Sequence, residues 1–248
     1  MLFVFAAGLG AILGSFLNAL LFRFNTGKSV LRGRSACMRC GHTLGALDLV
    51  PVLSYAFLRG RCRYCRTKIS WQYPLVEAAA ATLAVLIYLQ NPGPVWFGYW
   101  LVVWLILLFI LVYDLRHKII PWSASLSLMA LALVHVWSLG FDIWSFAAGP
   151  LLAAPLLGIS FVSRGAWMGW GDGFLELSLG AFLGFTAGLT ALMVSFWSGA
   201  LVGIALLFVR RGVTMKTEVP FAPFLIWGAA VAYFLHVDLF QMLPLLWP

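Results

Sequence analysis

Apolar runs of membrane-spanning length recur along this sequence and limit the folds that it can adopt. A transmembrane helix needs about 20 mostly apolar residues. Runs of about this length occupy residues 2–22, 72–89, 96–113, 121–139, 143–162, 174–189, 191–209 and 220–236. Hydrophobic residues make up 63% of the chain and charged residues only 10%, whereas soluble domains are roughly half apolar and about a quarter charged. We therefore expect an all-α, polytopic membrane protein of about eight transmembrane helices, embedded in the lipid bilayer.

The runs at 174–189 and 191–209 can be divided in two ways. They form either one long re-entrant stretch or two helices joined by a turn at Gly188–Thr190, and we expect the turn. Glycines at four-residue spacing, such as Gly180, Gly184 and Gly188, predict close packing of neighbouring helices. At the N-terminus no basic residue precedes the first run and Arg23 follows it, which is the reverse of a signal peptide. We expect a retained first helix.

The basic residues predict the orientation of the helices. If the first helix runs inward, all 16 Lys and Arg residues fall in four cytoplasmic segments, 23–71, 114–120, 163–173 and 210–219. The opposite loops carry only acidic charges, Asp142 and Asp238. Lys and Arg are retained on the cytoplasmic side of a membrane, so the N-terminus is expected outside. The net charge of +8 then follows from topology, and we expect no nucleic-acid partner.

All four cysteines of the chain lie in the longest cytoplasmic segment, as the pairs Cys37/Cys40 and Cys62/Cys65. Two such CxxC pairs are typical of a tetrahedral zinc site with four thiolate ligands. A loop with few large apolar side chains cannot build a good core, and a bound metal can supply the missing folding free energy. We expect zinc as a structural cofactor. The alternatives are disulfides, which the reducing cytoplasm disfavours, free thiols, or a site in which His42 replaces one cysteine.

Two aspartates stand at the predicted cytoplasmic boundary of the membrane. Asp114 ends the third apolar run and Asp172 precedes the sixth, within Gly169–Gly173. Two carboxylates that share a site cannot easily both ionise, which leaves one carboxylate and one carboxylic acid. Such a pair can hydrolyse a peptide: the carboxylate takes a proton from water while the acid polarises the scissile carbonyl. We expect the glycines around Asp172 to permit close approach and unusual dihedrals, and Pro121 to start the fourth helix.

Other interpretations of these carboxylates stay open. Asp114 lies near Arg116 and Lys118 and can be a solvated boundary charge. Glu77 lies inside the second apolar run and Glu176 one helical turn beyond Asp172. Ionisable residues at membrane depth are costly and usually functional. We therefore expect Glu77 to face the bundle interior or a polar cavity, near a cofactor or a substrate N-terminus.

These features together resemble the type IV prepilin peptidases, also called leader peptidase/N-methyltransferases. The resemblance covers nearly the whole chain and is carried by several ordered motifs. They are Gly14–Asn18 in the first run, the cysteine pairs with Pro51–Tyr55 and Ile69–Glu77, Asp114–Pro121, the GxGD motif at Gly169–Asp172, and Pro220–Phe224.

The resemblance implies two activities in the bacterial inner membrane. Asp114 and Asp172 would be the catalytic pair that cleaves the basic leader from prepilins and type II secretion pseudopilins on the cytoplasmic face, usually after Gly. Gly169, Gly171 and Pro121 would support this site. The new N-terminal residue, commonly Phe, would then be methylated with S-adenosylmethionine as the methyl donor. No residue of the methyl-donor site can be named, and Glu77 is a candidate contact.

Some positions depart from the family pattern. Phe174 stands where the family often has Lys, Met38 where Pro is common, and Trp170 where Met is frequent. We expect three parts: a first helix at 1–22, a four-cysteine module at 23–71 and a seven-helix peptidase core at 72–248. The competing functions are a peptidase without methyltransferase activity and a transporter or channel with a regulatory zinc module.

Overall fold

The computed structural model describes residues 1–27, 29, 33–140, 143–209 and 219–239. Within these ranges regular structure is almost entirely helical, with two isolated β-bridges and no strand. The helices are α1 (Leu2–Arg23), α2 (Leu53–Phe57), α3 (Gln72–Gln90), α4 (Pro94–His117), α5 (Trp122–Ser138), α6 (Ile143–Val162), α7 (Trp170–Leu183), α8 (Phe185–Val209) and α9 (Ala222–Leu235), with a 3₁₀ turn at Ala46–Asp48. Several charges used above lie outside the described residues: Lys28, Arg32, Asp142, Arg210, Arg211 and Lys216.

The expected all-helical fold is confirmed among the described residues, and the expected number of eight spans stays a prediction. Among the described residues, four helices are long and apolar enough to cross a bilayer: α1, α3, α4 and α8. Three shorter helices are also apolar: α5, residues Phe146–Val162 of α6, and α9.

The turn expected at Gly188–Thr190 is misplaced. The chain breaks at Gly184, which ends α7 with a φ of +75°, and α8 continues through Gly188. A positive φ costs glycine little, so the break occurs where the chain needs a left-handed residue. Gly184 therefore serves as a helix end, and a Cβ placed on it would meet nothing within 4 Å. The close helix packing expected there is wrong for Gly184.

The chain divides into two compact units, Met1–Phe109 and Ile110–Pro248. In the first unit α1 packs against α3. The buried face of α1 repeats every three or four residues, as a helix requires: Ala6, Gly10, Gly14, Leu17 and Leu21. A Cβ on Gly10 would lie 2.5 Å from the carbonyl oxygen of Ala80. The two backbones therefore approach more closely than any larger residue would permit.

In the second unit α7 is packed by its neighbours α5, α6, α8 and α9. Its contact with α6 is again made through glycines: a Cβ on Gly149 would lie 2.5 Å from the Leu177 carbonyl oxygen, and one on Gly180 would lie 3.0 Å from the Gly149 Cα. Helix α9 approaches α8 at Gly228, where a Cβ would collide with the Ala191 carbonyl. These contacts bury most of α7, including Asp172 and Glu176.

We expect Gly10→Ala to separate α1 from α3, because its Cβ would overlap the α3 backbone. Overpacking of this kind costs about 1–3 kcal/mol, which should lower the melting temperature of the detergent-purified protein. Gly8→Ala is the matched control, since a Cβ there meets nothing within 4 Å and alanine favours helix. Equal melting temperatures for the two variants would contradict the close approach of these helices.

Candidate cysteine cluster and aspartate pair

Each cysteine pair lies on a short hairpin. In the first, the Cys37 N–H donates to the His42 carbonyl and the Gly41 N–H donates back to Cys37. In the second, the Cys62 N–H donates to the Thr67 carbonyl and the Arg66 N–H to Cys62. Isolated β-bridges close the two hairpins, between Ala36 and Thr43 and between Arg61 and Lys68. The same local structure thus occurs twice and presents two sulfurs from each copy.

The residue after the second cysteine of each pair is left-handed. Gly41 has a φ of +70° and Arg66 a φ of +57°. Nothing in the sequence predicts this conformation at Arg66, because a residue with a side chain is strained in the left-handed region. The hairpin hydrogen bonds hold Arg66 in this conformation, so it is a local consequence of bringing Cys62 and Cys65 together.

The four sulfurs form one cluster. They all lie within 4.8 Å of one another, and the Cys37 and Cys65 sulfurs are 3.8 Å apart. This distance exceeds a disulfide bond of about 2.05 Å, and the four cysteines are free thiols. It fits the edge of a tetrahedron whose metal–sulfur bonds are about 2.3 Å. The cluster can therefore hold a metal ion.

Hydrogen bonds prepare two of the thiols for metal binding. The Thr67 hydroxyl and backbone N–H favour the thiolate of Cys65 and lower its pKa to about 6. The backbone N–H groups of Cys40 and Arg39 lower the pKa of Cys37 in the same way. Metals bind the thiolate form. His42 is not part of the four-sulfur group, and its ring lies 3.6 Å from that of Tyr64, centroid to centroid.

An ion pair ties the 3₁₀ turn to the second hairpin. The Arg63 Nε donates to Asp48 Oδ1 at 2.7 Å, and the Gly45 N–H donates to Oδ2. Arg63 lowers the pKa of Asp48. Arg63 is half exposed, so the pair contributes little stability on its own. Its effect is to fix the chain that leads from the first hairpin to the second.

Asp114 lies in the last turn of α4 and is only 4% exposed. It is therefore not the solvated boundary charge considered from the sequence. Its carboxylate accepts a hydrogen bond from the backbone N–H of Ala222, the first residue of α9. The first amides of a helix lack partners within the helix, and α9 has proline in its first turn. This gives a physical role to the Pro220–Phe224 signature. The second oxygen, Oδ2, has no hydrogen-bond partner among the described residues.

Asp172 lies within the first turn of α7, not before the helix as the sequence suggested. Gly169 caps α7, and the Asp172 carboxylate accepts the Gly169 N–H, as in one half of a capping box. An acidic residue is favoured there by the helix dipole. Asp172 is 9% exposed. The charge of Asp114 acts on Asp172, so the two aspartates lie within electrostatic range of each other in the second unit.

The glycines around Asp172 act through size and not through unusual dihedrals. Gly169 has a φ of −69°, and Gly171 and Gly173 are not among the positive-φ glycines. A Cβ on Gly171 would lie 2.9 Å from the Cβ of Ile120, and one on Gly173 would collide with Leu157. Gly171 thus lets the α4–α5 connection lie against the start of α7. Pro121, the cap of α5, follows directly.

The other residues that the sequence singled out are Glu77, Glu176 and Phe174. Glu77 is 7% exposed on α3 and lies in the first unit. Its carboxylate accepts the Val52 N–H at 2.7 Å. Glu176, one turn after Asp172, is 2% exposed and its Oε1 has no hydrogen-bond partner among the described residues. Phe174 packs its ring 4.9 Å from that of Trp122, centroid to centroid, so an aromatic contact replaces the family's common lysine.

Comparison with known proteins gives consistent matches along the chain. A family model described as the bacterial peptidase A24 N-terminal domain matches residues 9–91, and one described as the type IV leader peptidase family matches residues 100–204. A prepilin leader peptidase/N-methyltransferase of Burkholderia pseudomallei (strain 1026b) is 32% identical, over 96% of this chain and 87% of that protein. A protein of the same name from Aeromonas hydrophila is 33% identical over 80% of this chain and 73% of its own length. No solved structure matches the chain.

We expect Gly41→Val to loosen the first hairpin, because a β-branched residue is strained at a φ of +70° by about 1–2 kcal/mol. The four cysteines should then be alkylated faster by iodoacetamide. Arg66→Gly should not accelerate the reaction, since glycine suits the left-handed position. Gly45→Ala, at a φ of −80°, is the matched control. Gly41→Val alkylated at the rate of the control would show that the left-handed turn does not hold the cluster.

Proposed function

Because the chain belongs to the type IV leader peptidase family, we propose that it cleaves the leader peptide of prepilin-like precursors and then methylates the new N-terminus. Curated relatives that match most of this chain carry both activities in their names. The observation that carries the peptidase half is the buried pair of interacting carboxylates, Asp114 and Asp172. The substrates we propose are prepilins and the pseudopilins of type II secretion.

The aspartate pair supports hydrolysis by acid–base catalysis. Because two like charges that interact in a buried site cannot easily both be ionised, one aspartate would hold a proton. The ionised partner removes a proton from water, and the oxygen of that water attacks the scissile carbonyl while the protonated partner donates to the carbonyl oxygen. The backbone N–H groups of Ala222 and Gly169 fix the two carboxylates. The Oδ2 of Asp114, which has no hydrogen-bond partner among the described residues, would then be available to the water.

Methylation needs a donor and a free amine. S-adenosylmethionine, when bound, supplies the methyl group, which the amine of the cleaved substrate accepts as it loses a proton. We assign no residue to the donor. Glu77, the earlier candidate contact, has its carboxylate engaged by the chain's own backbone at Val52.

We propose that the chain crosses the bacterial inner membrane about eight times, with its N-terminus outside and both cysteine pairs and both aspartates on the cytoplasmic side. The placement of all 16 Lys and Arg residues supports this orientation. α1, α3, α4 and α8 supply spans of full length. The three shorter apolar helices, together with α7, would complete the set of eight. The division into a first helix (1–22), a cysteine module (23–71) and a membrane core (72–248) is part of the same proposal.

Zinc is the metal we propose for the four-cysteine cluster. Cys37, Cys40, Cys62 and Cys65 would hold it, and four thiolates leave no open position for catalysis. Its contribution is therefore structural: it replaces the hydrophobic core that this segment lacks, since no residue of the 3₁₀ turn or of α2 is buried.

We expect Asp114→Asn and Asp172→Asn each to abolish cleavage, and the double variant to be no worse, because residues that act as a unit are non-additive. The assay uses detergent-purified protein, S-adenosylmethionine and a precursor whose leader ends in Gly-Phe. Mass spectrometry of the product reports cleavage and the added methyl group separately, and so tests the peptidase-only alternative. Methylation of a pre-cleaved substrate should survive both substitutions.

Asp48→Asn is the matched control for this series, because Asp48 lies in the cysteine module and is paired with Arg63. It should keep most of the cleavage activity. If Asp114→Asn retains more than about a tenth of wild-type cleavage, the loss of barrier stabilisation is below about 1.4 kcal/mol, and the aspartate pair does not do the chemistry.

We expect one zinc ion per chain in elemental analysis of the purified protein. Cys62→Ser should lower the zinc content and impair methylation more than membrane insertion, because the metal organises only the cysteine module. His42→Ala should keep the metal, since His42 is not part of the four-sulfur group. A metal-free protein whose four thiols alkylate freely would refute the zinc assignment.

A further inference from the structure

The backbone at Val52 has a rare and strained conformation. Its φ is +62° and its ψ −48°, and the Leu53 N–H donates to the Pro51 carbonyl at 2.6 Å. These values define a γ-turn of the rare positive-φ type. A β-branched residue with positive φ is an outlier even among residues in turns. Such a conformation persists only where the surrounding structure enforces it.

The group that enforces it is the carboxylate of Glu77. The Val52 N–H donates to Glu77 Oε2 at 2.7 Å, a length typical of a bond to a charged acceptor. The Ser15 side chain hydrogen-bonds to the same carboxylate. Glu77 is only 7% exposed, so water competes poorly for these hydrogen bonds. Both partners belong to the chain, and neither is a substrate.

Glu77 itself is held in place by the packing of α1 on α3. A Cβ on Gly14 would lie 2.9 Å from the Glu77 Cα, so the helices touch at this position. One turn away, the Asn18 side-chain amide donates to the Tyr73 carbonyl and accepts from Gln72 at the start of α3. The carboxylate therefore projects from a rigid helix pair, as a positioning group should.

From this geometry we infer that Glu77 is a positioning residue: it clamps the strained turn at Val52 and thereby seats the cysteine module on the α1–α3 pair. The segment it holds joins the two hairpins, since Val52 lies between Cys40 and Cys62 and caps the start of α2. A metal held by the four cysteines would join the two hairpins to each other, but it would not fix where the module lies. That the seating serves methylation rests on the function proposed above.

The role of Glu77 is tested with four variants: Glu77→Gln, Glu77→Leu, Val52→Gly, and Glu77→Leu combined with Val52→Gly. Leu removes the acceptor, whereas the Gln amide oxygen can still accept the Val52 N–H. We expect Glu77→Leu to raise the alkylation rate of the four cysteines and to lower methylation of a pre-cleaved substrate by about tenfold, with Glu77→Gln intermediate; tenfold corresponds to 1.4 kcal/mol. Cleavage should change much less.

In the Glu77→Leu background, adding Val52→Gly should restore much of the lost protection of the cysteine thiols. Glycine adopts positive φ without a clamp. Val50→Gly is the matched control: Val50 is in the same segment but is not a positive-φ residue, so it should not rescue. If Glu77→Leu does not fold, the same rescue is measured on Glu77→Gln. Rescue by Val50→Gly, or none by Val52→Gly, would overturn the inference.

Two further outcomes separate this inference from the proposed function. Loss of methylation in Glu77→Gln with fully protected thiols would mean that Glu77 contacts a reacting molecule, and the clamp would be wrong. If the wild-type protein shows no methylation but the alkylation rates follow the expected order, the clamp stands and the methyltransferase assignment fails.

Discussion

Close approach of helix backbones at glycine positions determines where the helices that carry Glu77 and Asp172 lie. Lipid offers no hydrophobic force between helices, so their association depends on van der Waals packing at small residues. Gly10 and Gly14 bring α1 onto α3 and so fix Glu77. Gly149 and Gly180 bring α6 onto α7, which carries Asp172. A single added Cβ at these places overlaps backbone atoms, so the carboxylate positions follow from the spacing of the small residues.

Three of the buried carboxylates offset the free-energy cost of burial in the same way. Each accepts a hydrogen bond from a backbone N–H that secondary structure leaves free: Asp114 from Ala222, Asp172 from Gly169 and Glu77 from Val52. Two of these amides lie at helix starts, where partners are missing, and the third lies in a strained turn. A backbone donor has one position and no rotamers, so it orients a carboxylate more tightly than a flexible cation would. Glu176 differs, because its Oε1 lacks a partner among the described residues.

What the sequence could predict depended on whether the signal was local. The four-sulfur cluster was predictable because each ligand pair lies within one short hairpin. The burial and proximity of Asp114 and Asp172 could be predicted only in part. The placement of charges puts both residues at one face of the membrane, but it carries no information on side-chain packing. The turn was predicted at Gly188–Thr190 instead of Gly184 because no polar residue marks the break in this apolar run. Only the backbone conformation distinguishes Gly184 from Gly188. The Glu77–Val52 bond joins residues 25 positions apart, and no local pattern predicts it.

The stability of the cysteine module and its placement are separable properties. No residue of the 3₁₀ turn or of α2 is buried, and Leu47, Leu53 and Phe57 are exposed, so these elements bury little apolar surface against the rest of the described residues. Its four sulfurs can hold the hairpins together through a metal, but a metal site with all its ligands from the module cannot register that module on a helix. Polar contacts with the helix pair can supply this registration. A carboxylate on α3 that holds one strained peptide supplies such a contact. A protein built this way can lose the placement of the module while the hairpins stay intact.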